Sequence, residues 1–464
     1  MKDWFQALSV YKKPRILAML FLGFSAGLPI LLIFSTLSLW LREAGVERSA
    51  VTYFSWAALG YSFKFVWAPL VDKLPLPFLH SLLGKRRSWL LVSQFMIITA
   101  MIWMAMNDPA STNGLSYMAV AAVMLGFSSA TQDIVIDAWR IEAVESELQS
   151  LMSANYVAGY RIGMIVAGAG ALYMAEWLGS TRDVYVYSAW QLTYMAMAAT
   201  MFVGVMTTLF IPEPERTQET SYLHSARDYA RFLLLFLVLV AAMIVTYLGL
   251  SDLSSVLKAW FSETSANGKL AAFLAEALRL LTALSVAIAT GWLLVKARFA
   301  EKRMLQDTYI EPVMDFFHRY GKVAFLILLL IGFYRVSDIV LGVISNVFYQ
   351  DMGFSKDQIA TVTKVFGIWM TILGGFLGGF LTLRFGMIRI LMLGAVMTVI
   401  TNLLFIPVAN NPGDLMLLYV VIGADNITAG LASAAFIAYL SSLTSLSFTA
   451  VQYAVFSSLM TLFP

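Results

Sequence analysis

The most constraining feature of this 464-residue chain is a succession of long apolar stretches. A helix that crosses the hydrocarbon core of a bilayer needs about 20 consecutive, mostly apolar residues. Twelve candidate spans lie near 15–40, 50–70, 88–106, 115–143, 150–178, 185–211, 230–250, 270–296, 323–350, 357–382, 387–408 and 414–440. A further apolar stretch starts at 449. We therefore predict an all-α, polytopic membrane protein.

The composition agrees with a membrane bundle and excludes several other classes of protein. Charged residues make up 13% of the chain and apolar residues 60%, whereas soluble proteins have about 25% charged residues. There is no cysteine, so disulfides, iron–sulfur clusters and thiolate metal sites are excluded. The three histidines lie between the apolar stretches, so we expect no metal site and no cofactor. A net charge of +3 gives no reason to expect nucleic acid as a partner.

The distribution of lysine and arginine predicts the orientation. If the N-terminus is cytoplasmic, the inner loops hold far more Lys and Arg than the outer loops do. Cytoplasmic loops of membrane proteins carry such an excess. We expect a cytoplasmic N-terminus.

An internal repeat divides the chain into two halves. Gly23-Phe24 is repeated as Gly332-Phe333, and the basic loop at 84–87 has a counterpart around Arg384. The two copies are separated by more residues than six spans require. The sequence therefore predicts a two-helix insertion between two bundles, with the boundaries 1–215 for the N-terminal six-helix bundle, 216–300 for the insertion, 301–322 for a cytoplasmic amphipathic linker and 323–464 for the C-terminal bundle. The last apolar stretch stops at Pro464, so we expect the last helices of that bundle to be missing.

Several motifs carry a family resemblance. Pro69-Leu-Val-Asp72-Lys73 followed by Gly84-Lys85-Arg86-Arg87 is a loose version of the loop motif of the major facilitator superfamily, which is structural in that family. Gly23-Phe-Ser-Ala-Gly-Leu-Pro29, Gln132-Asp-Ile-Val-Ile-Asp-Ala-Trp139 and Gly159-Tyr-Arg-Ile-Gly163 resemble AmpG-type muropeptide permeases, some of which have two extra central spans.

This resemblance implies a function. Members of the family import anhydro-muropeptides (GlcNAc-anhydroMurNAc peptides) from periplasm to cytoplasm, driven by protons, for peptidoglycan recycling and β-lactamase induction. It thus implies a monomeric symporter of the bacterial inner membrane, surrounded by lipid, with a muropeptide and protons as partners. The only cofactor would be the proton gradient, and the protein would not be an enzyme.

Charged residues inside the predicted spans are the candidates for coupling. Such groups are costly in a bilayer and usually face a cavity or a partner. Asp133 and Asp137 are four residues apart and share one helix face, and Arg161 lies at a similar depth in the next span. A neighbouring cation favours an ionised carboxylate, whereas burial favours the protonated one. We predict that Asp133 or Asp137 carries the proton and that Arg161 modulates it.

Other residues of the spans are candidates for substrate binding. Lys64, Arg335 and Lys364 would attract the carboxylates of a peptide stem. The remaining predicted contacts are aromatic, amide or acidic side chains, namely Tyr61, Trp139, Tyr160, Trp369, Gln132, Asn346, Asn426, Asp338 and Asp425. The alternative is that these charges form ion pairs that only fix helix packing.

Three other functions remain open from the sequence. A transporter of another amphiphilic conjugate, such as acetyl-CoA, would have the same general pattern. An intramembrane enzyme would need a nucleophile with a base, or a metal site, within the spans. A receptor or scaffold would leave the buried acids without a role.

Overall fold

The computed structural model describes residues 11, 13–47, 50–51, 54, 59–181, 183–215, 225–265 and 268–462. Every regular element in these ranges is helical. Among them, ten helices are long and apolar enough to cross a membrane, or eleven if Lys302–Tyr320 and Val323–Phe333 count as one span. The predicted all-α, polytopic fold class is confirmed.

The helices fall into three successive groups along the chain. The N-terminal half contains α1 Pro14–Ile33, α2 Ser35–Glu43, α3 Leu59–Phe63, α4 Ala68–Lys73, α5 Leu79–Leu83, α6 Lys85–Ala105, α7 Gly114–Ala143, α8 Gln149–Ile165, α9 Ala171–Trp177, α10 Tyr187–Thr200 and α11 Phe202–Phe210. The middle contains α12 Ala226–Gly249, α13 Ser251–Ser265, α14 Gly268–Lys296, α15 Lys302–Leu305 and α16 Glu311–Tyr320. The C-terminal half contains α17 Val323–Phe333, α18 Val336–Asp351, α19 Lys356–Ile359, α20 Gly367–Phe385, α21 Met387–Leu403, α22 Phe405–Asn410, α23 Leu415–Leu443 and α24 Thr449–Leu462.

Two of the predicted spans are interrupted where a cation lies inside them. In the span predicted at 50–70, α3 ends at Phe63 and a 3-10 turn, Lys64–Val66, precedes α4. In the span predicted at 323–350, Arg335 lies between α17 and α18 in a non-helical backbone conformation. Within the described ranges each of these two spans is therefore divided into shorter helices, and neither is among the ten helices long enough to cross a membrane.

The repeat is clearest at one pair of helical turns. Helix α7 ends at Ala143 and α8 begins at Gln149, with a 3-10 turn between them. The matching C-terminal boundaries lie 300 positions later, because α23 ends at Leu443 and α24 begins at Thr449, again around a 3-10 turn. The two halves therefore share one local architecture at this end of the bundle.

Glycines allow the closest helix packing in each half. Backbone atoms of α8, at Tyr156 and Tyr160, occupy the space that a Cβ atom on Gly23 or Gly27 of α1 would need. In the C-terminal half the same holds for Gly374 of α20, which faces the backbone of α23. Small residues at four-residue spacing let helices approach in this way, so these motifs form packing surfaces.

Both halves belong to one compact unit, Met1–Val71 with Pro75–Arg216 and Tyr320–Pro464. The chain between them, Thr217–Arg319, forms a second unit together with Asp72–Leu74. This second unit takes in most of the predicted insertion and of the predicted linker.

Within the second unit, a polar cluster joins α12 to α14. The Tyr247 hydroxyl donates to Glu276 Oε2 at 2.9 Å, and Arg279 Nε donates to the Tyr247 carbonyl at 2.7 Å. The Arg279 guanidinium also lies 3.9 Å from the centre of the Tyr247 ring. These contacts hold the hairpin of α12 and α14 together.

Candidate functional site

The centre of the candidate site is Asp137, which lies between two cations. Lys64 Nζ is 3.8 Å from Asp137 Oδ2, and Arg140 Nη2 is 3.2 Å from Asp137 Oδ1. All three residues are buried. The 3-10 turn after α3 supplies Lys64, and one face of α7 supplies the other two. Asp137 and Arg140, three residues apart on α7, therefore form an ion pair.

Arg140 connects this cluster to the C-terminal half. Its side chain is fully buried, and Nη1 donates to Ser441 Oγ of α23 at 2.6 Å. The same nitrogen lies 3.3 Å from Ser153 Oγ and 3.4 Å from Gln149 Oε1. The guanidinium carbon is 5.1 Å from the ring centre of Tyr453 on α24. Arg140 therefore contacts both halves of the molecule.

Asp133 lies one turn of α7 before Asp137 and is also buried. Its Oδ1 atom has no hydrogen-bond partner within the described ranges, and the charges that act on it are those of Lys64 and Asp137. Gln132 is fully buried beside it, and neither of its amide atoms has a partner in the part of the chain that the structure describes. Unpaired buried polar atoms cost free energy, so a water or a ligand group would stabilise these positions.

The predicted pairing of Asp133 with Arg161 is not found. Arg161 Nη1 lies 3.9 Å from Met164 Sδ, and the ionisable groups near Arg161 are Arg335 and the neutral Tyr160. Counting residues along a helix estimates depth but cannot give the direction of the side chain. Lys64 replaces Arg161 as the cation beside Asp133.

Two of the predicted aromatic residues lie beside the acids. The Tyr61 hydroxyl is 2.6 Å from Ser129 Oγ, one turn before Asp133, and Tyr160 lies near the Asp133 charge. Trp139 differs from the prediction, because it is fully buried and its indole nitrogen donates to the Pro212 carbonyl at 3.0 Å. Its ring is packed inside the protein, so Trp139 does not offer a stacking platform.

The predicted residues of the C-terminal half are more dispersed. Asn426 accepts from Thr371 at 2.8 Å and donates to the Ile422 carbonyl at 2.9 Å, so it joins α23 to α20. Asp425 accepts from Thr401 of α21 at 3.3 Å. Trp369 is 56% exposed. The side chains of Asp338 and Asn346 lie outside the described residues.

Four cations of the spans lie in or near irregular helix geometry, whereas Arg140 lies in a regular helix. Lys64 lies in a 3-10 turn, Arg335 between two helices, and Lys364, which is exposed, in the π-helix Ala360–Phe366. Arg161 comes shortly before the π-helix Val166–Gly170. Interrupted helices and π-bulges often mark functional sites in transporters. This coincidence supports a solute pathway along these four positions.

A second charged region lies where α5 leads into α6, at the ends of the spans. The Arg86 guanidinium makes a bidentate contact with Glu142, with distances of 2.7 Å and 3.1 Å. The backbone N–H groups of Arg86 and Arg87 donate to the carboxylate of Glu213 at 2.7 Å and 3.0 Å. Burial raises the pKa of Glu213, although these two hydrogen bonds act in the opposite direction. The basic loop motif thus joins α6, α7 and the end of α11.

Neither a metal site nor a conventional pocket defines the candidate site. Among the described residues there is no group of three His, Cys, Asp or Glu side chains that could hold a metal ion. A groove of about 640 Å³ lies between α1 and α11, but apolar side chains such as Leu17, Phe21 and Met206 line it. The buried charges on α7 and α3 therefore define the site.

Sequence reasoning missed Ser441 and Tyr453, because nothing in their local sequence indicates a contact with Arg140. It also missed Glu213, which is separated from Arg86 by more than a hundred residues. For Glu213 there was a signal, since an acid directly after an apolar span often caps a neighbouring helix terminus.

Known proteins resemble this chain over nearly its whole length. The sequence profile of the Major Facilitator Superfamily matches residues 16–463. The protein called "Putative transporter AmpG 4" of Rickettsia conorii is 29% identical over 449 residues, which cover 97% of this chain and 87% of the relative. The "Anhydromuropeptide permease" of Escherichia coli K12 is 27% identical over 456 residues, which cover 98% of this chain and 73% of the relative.

A solved structure supports the same fold. The proton:xylose symporter XylE bound to 6-bromo-6-deoxy-D-glucose superimposes with a TM-score of 0.59 at 11% sequence identity, over 97% of this chain and 86% of that protein. At this identity the likeness concerns the fold alone. The family profile and the two relatives confirm the family resemblance that the motifs indicated.

Proposed function

The chain belongs to the major facilitator superfamily, and on this premise we propose that it imports anhydro-muropeptides together with protons. The Escherichia coli relative carries the name of an anhydromuropeptide permease. The observation that carries the proposal is the buried cluster of Lys64, Asp133, Asp137 and Arg140. Its charges cancel when all four groups are ionised.

This balance supports coupling between a proton and an anionic solute. Uptake of one proton by Asp133 or Asp137 leaves the cluster with a net positive charge. An uncompensated charge inside a membrane protein is strongly unfavourable. A carboxylate of the solute compensates it, so the proton and an anionic solute stabilise each other in the site.

The solute would lie along the interrupted helices. Lys64, Arg335 and Lys364 would attract the carboxylates of a peptide stem, and we add Arg161, which lies near Arg335. Tyr61 and Tyr160 would contact the sugar rings. These residues come from both halves, as alternating access requires. The predicted location is the bacterial inner membrane, with the N-terminus in the cytoplasm.

The charge argument applies to any anionic amphiphile, so it does not by itself select the solute. An acyl-nucleotide conjugate such as acetyl-CoA would be the second candidate from the sequence. No contact described above favours it over a muropeptide. The relatives' names favour the muropeptide.

Uptake into proteoliposomes tests the proposal. Vesicles with a lumen more alkaline than the outside are given a labelled anhydro-muropeptide, and the same vesicles with equal pH on both sides serve as the control. We expect accumulation only with the gradient, and competition by unlabelled muropeptide but not by acetyl-CoA. Equal uptake with and without the gradient would refute proton coupling, and inhibition by acetyl-CoA alone would refute the choice of solute.

A further inference from the structure

Arg140 is the residue that the buried charge cluster and the interface between the halves have in common. It pairs with Asp137 through Nη2 and donates to Ser441 of the other half through Nη1. We propose that Arg140 is a positioning residue that joins the halves while Asp137 is ionised and releases them when Asp137 takes up a proton. This inference rests on the proposed proton coupling.

The geometry fixes Arg140 firmly on the side of the N-terminal half. Gln149 Nε2 donates to the carbonyls of Arg140 and Ile141, both at 3.1 Å, and so caps the end of α7. The Gln149 side-chain oxygen faces Arg140 Nη1 at 3.4 Å. These hydrogen bonds fix the guanidinium against the end of α7 and the start of α8. The guanidinium therefore faces α23.

Ser441 is well suited to receive this guanidinium. Its hydroxyl donates to the Ile437 carbonyl of its own helix at 2.7 Å. The oxygen is thus oriented to accept the hydrogen bond from Arg140 at 2.6 Å. Tyr453 of α24 adds a ring face 5.1 Å from the guanidinium carbon. Two helices of the C-terminal half therefore hold the same charged group.

The surroundings of Asp137 determine how it responds to a proton. Lys64 faces it from the turn after α3, and Arg140 and Asp133 face it from its own helix. Tyr156 faces it from α8 and Tyr453 from α24. Both tyrosines are neutral in their usual range. Arg140 is therefore a charged neighbour of Asp137 that also hydrogen-bonds directly to the other half.

Protonation of Asp137 removes the counter-ion of a fully buried guanidinium. A buried cation without a partner is far less stable than a hydrated one. Hydration requires access for water, and Ser441 and Tyr453 cover the guanidinium on the side of the other half. Separation of the halves at this position therefore lets water reach the unpaired guanidinium and stabilise its charge.

Two nearby contacts between the halves do not depend on the charge of Asp137. Ser150 Oγ donates to the Gly379 carbonyl at 3.1 Å, and the Tyr11 hydroxyl donates to the Phe376 carbonyl at 3.0 Å. Both are hydrogen bonds between neutral groups, so a proton on Asp137 leaves them unchanged. They favour contact at this end at every pH, whereas the contact through Arg140 depends on Asp137.

The test measures the distance between the halves without any solute. The chain has no cysteine, so Glu147→Cys and Leu446→Cys place the only two spin labels in the matched 3-10 turns, at exposed positions. Pulsed electron–electron resonance then gives the distance distribution of the full chain in nanodiscs at one neutral pH. The labelled chain with Asp137 and Ser441 intact is the reference, and we expect it to show the short-distance population.

Three variants in this labelled background separate the role of Arg140 from general damage. In Asp137→Asn, which removes the counter-ion of Arg140, the short-distance population should fall. In Ser441→Ala the ratio of short to long distances should fall about tenfold, as expected for the loss of a hydrogen bond to a charged group. The matched control is Ser442→Ala, because Ser442 donates only to the Tyr439 carbonyl of its own helix.

The proposal is overturned if Ser441→Ala and Ser442→Ala give the same distribution, or if Asp137→Asn leaves the short-distance population unchanged. Neither result depends on solute. A protein that fails to transport muropeptide but shows the expected distance changes would refute the proposed solute and leave the role of Arg140 standing.

Discussion

At the scale of single residues, the decisive arrangement is one carboxylate shared by two cations. Asp137 contacts Lys64 at 3.8 Å and Arg140 at 3.2 Å, and Asp133 lies one turn away. Both acids are buried, and Asp133 keeps one oxygen without a hydrogen-bond partner among the described residues. This arrangement gives each acid a distinct environment on one helix face.

We expect Asp133→Asn or Asp137→Asn to leave the protein folded but to abolish accumulation driven by a pH gradient. Asparagine keeps the shape of the side chain but cannot carry the proton. Exchange of labelled for unlabelled solute at equal pH should persist in at least one variant, because exchange needs no net proton movement. Glu176→Gln, which changes an exposed acid of the same half, is the control. Undiminished accumulation in both variants would contradict the assignment.

The site also shows which residues sequence can predict. The pairing of Asp137 with Arg140 follows from helical periodicity, which is local. The contacts of Asp137 with Lys64 and of Arg140 with Ser441 depend on how distant helices pack, and periodicity does not contain that information. Arg161 was assigned to Asp133 on depth alone, and its side chain turned out to lie near Arg335 instead.

At the scale of helices, close approach of α1 and α8 fixes the N-terminal half. We expect Gly27→Leu to lower the thermal midpoint strongly, because the backbone of Tyr160 already occupies the required space. Overpacking of this kind costs about 1–3 kcal/mol or more. Gly170→Ala is the matched control, since the nearest atom to its Cβ is 3.8 Å away. Equal midpoints for the two variants would disprove the packing role.

Glu213 provides a pH-dependent test of the loop that joins α6 to the end of α11. Burial raises the pKa of Glu213 in the folded protein. A raised acid pKa means that the folded state gains stability as the pH falls through that pKa and loses it as the pH rises. The thermal midpoint of the native protein minus that of Glu213→Gln should therefore increase as the pH falls from 7 to about 4.5. A midpoint difference that stays constant or decreases as the pH falls would contradict this.

The helical type of the spans was predictable because each carries its own apolar signal. The interruptions at Lys64 and Arg335 were not, because the apolar run continues on both sides of each break, and the nearest Pro and Gly, Pro69 and Gly332, lie a few residues away. The matched turns after α7 and α23 were also missed, since their sequences differ although their boundaries agree.

At the scale of the whole molecule, the two halves form one compact unit without Thr217–Arg319. We therefore expect solute binding to persist in a variant in which a flexible linker replaces the helices α12 to α14. Binding of labelled muropeptide to purified protein measures this, with thermal unfolding as the check of folding. A folded deletion variant that no longer binds would show that the insertion contributes to the site.

The halves and the buried cluster together give the central claim, that a proton and an anionic solute enter together. The most direct measurement records the lumenal pH of proteoliposomes, with equal pH on both sides at the start, when anhydro-muropeptide is added outside. We predict acidification of the lumen that depends on solute and is absent in Asp133→Asn or Asp137→Asn. Entry of labelled muropeptide without any change in lumenal pH would contradict the claim.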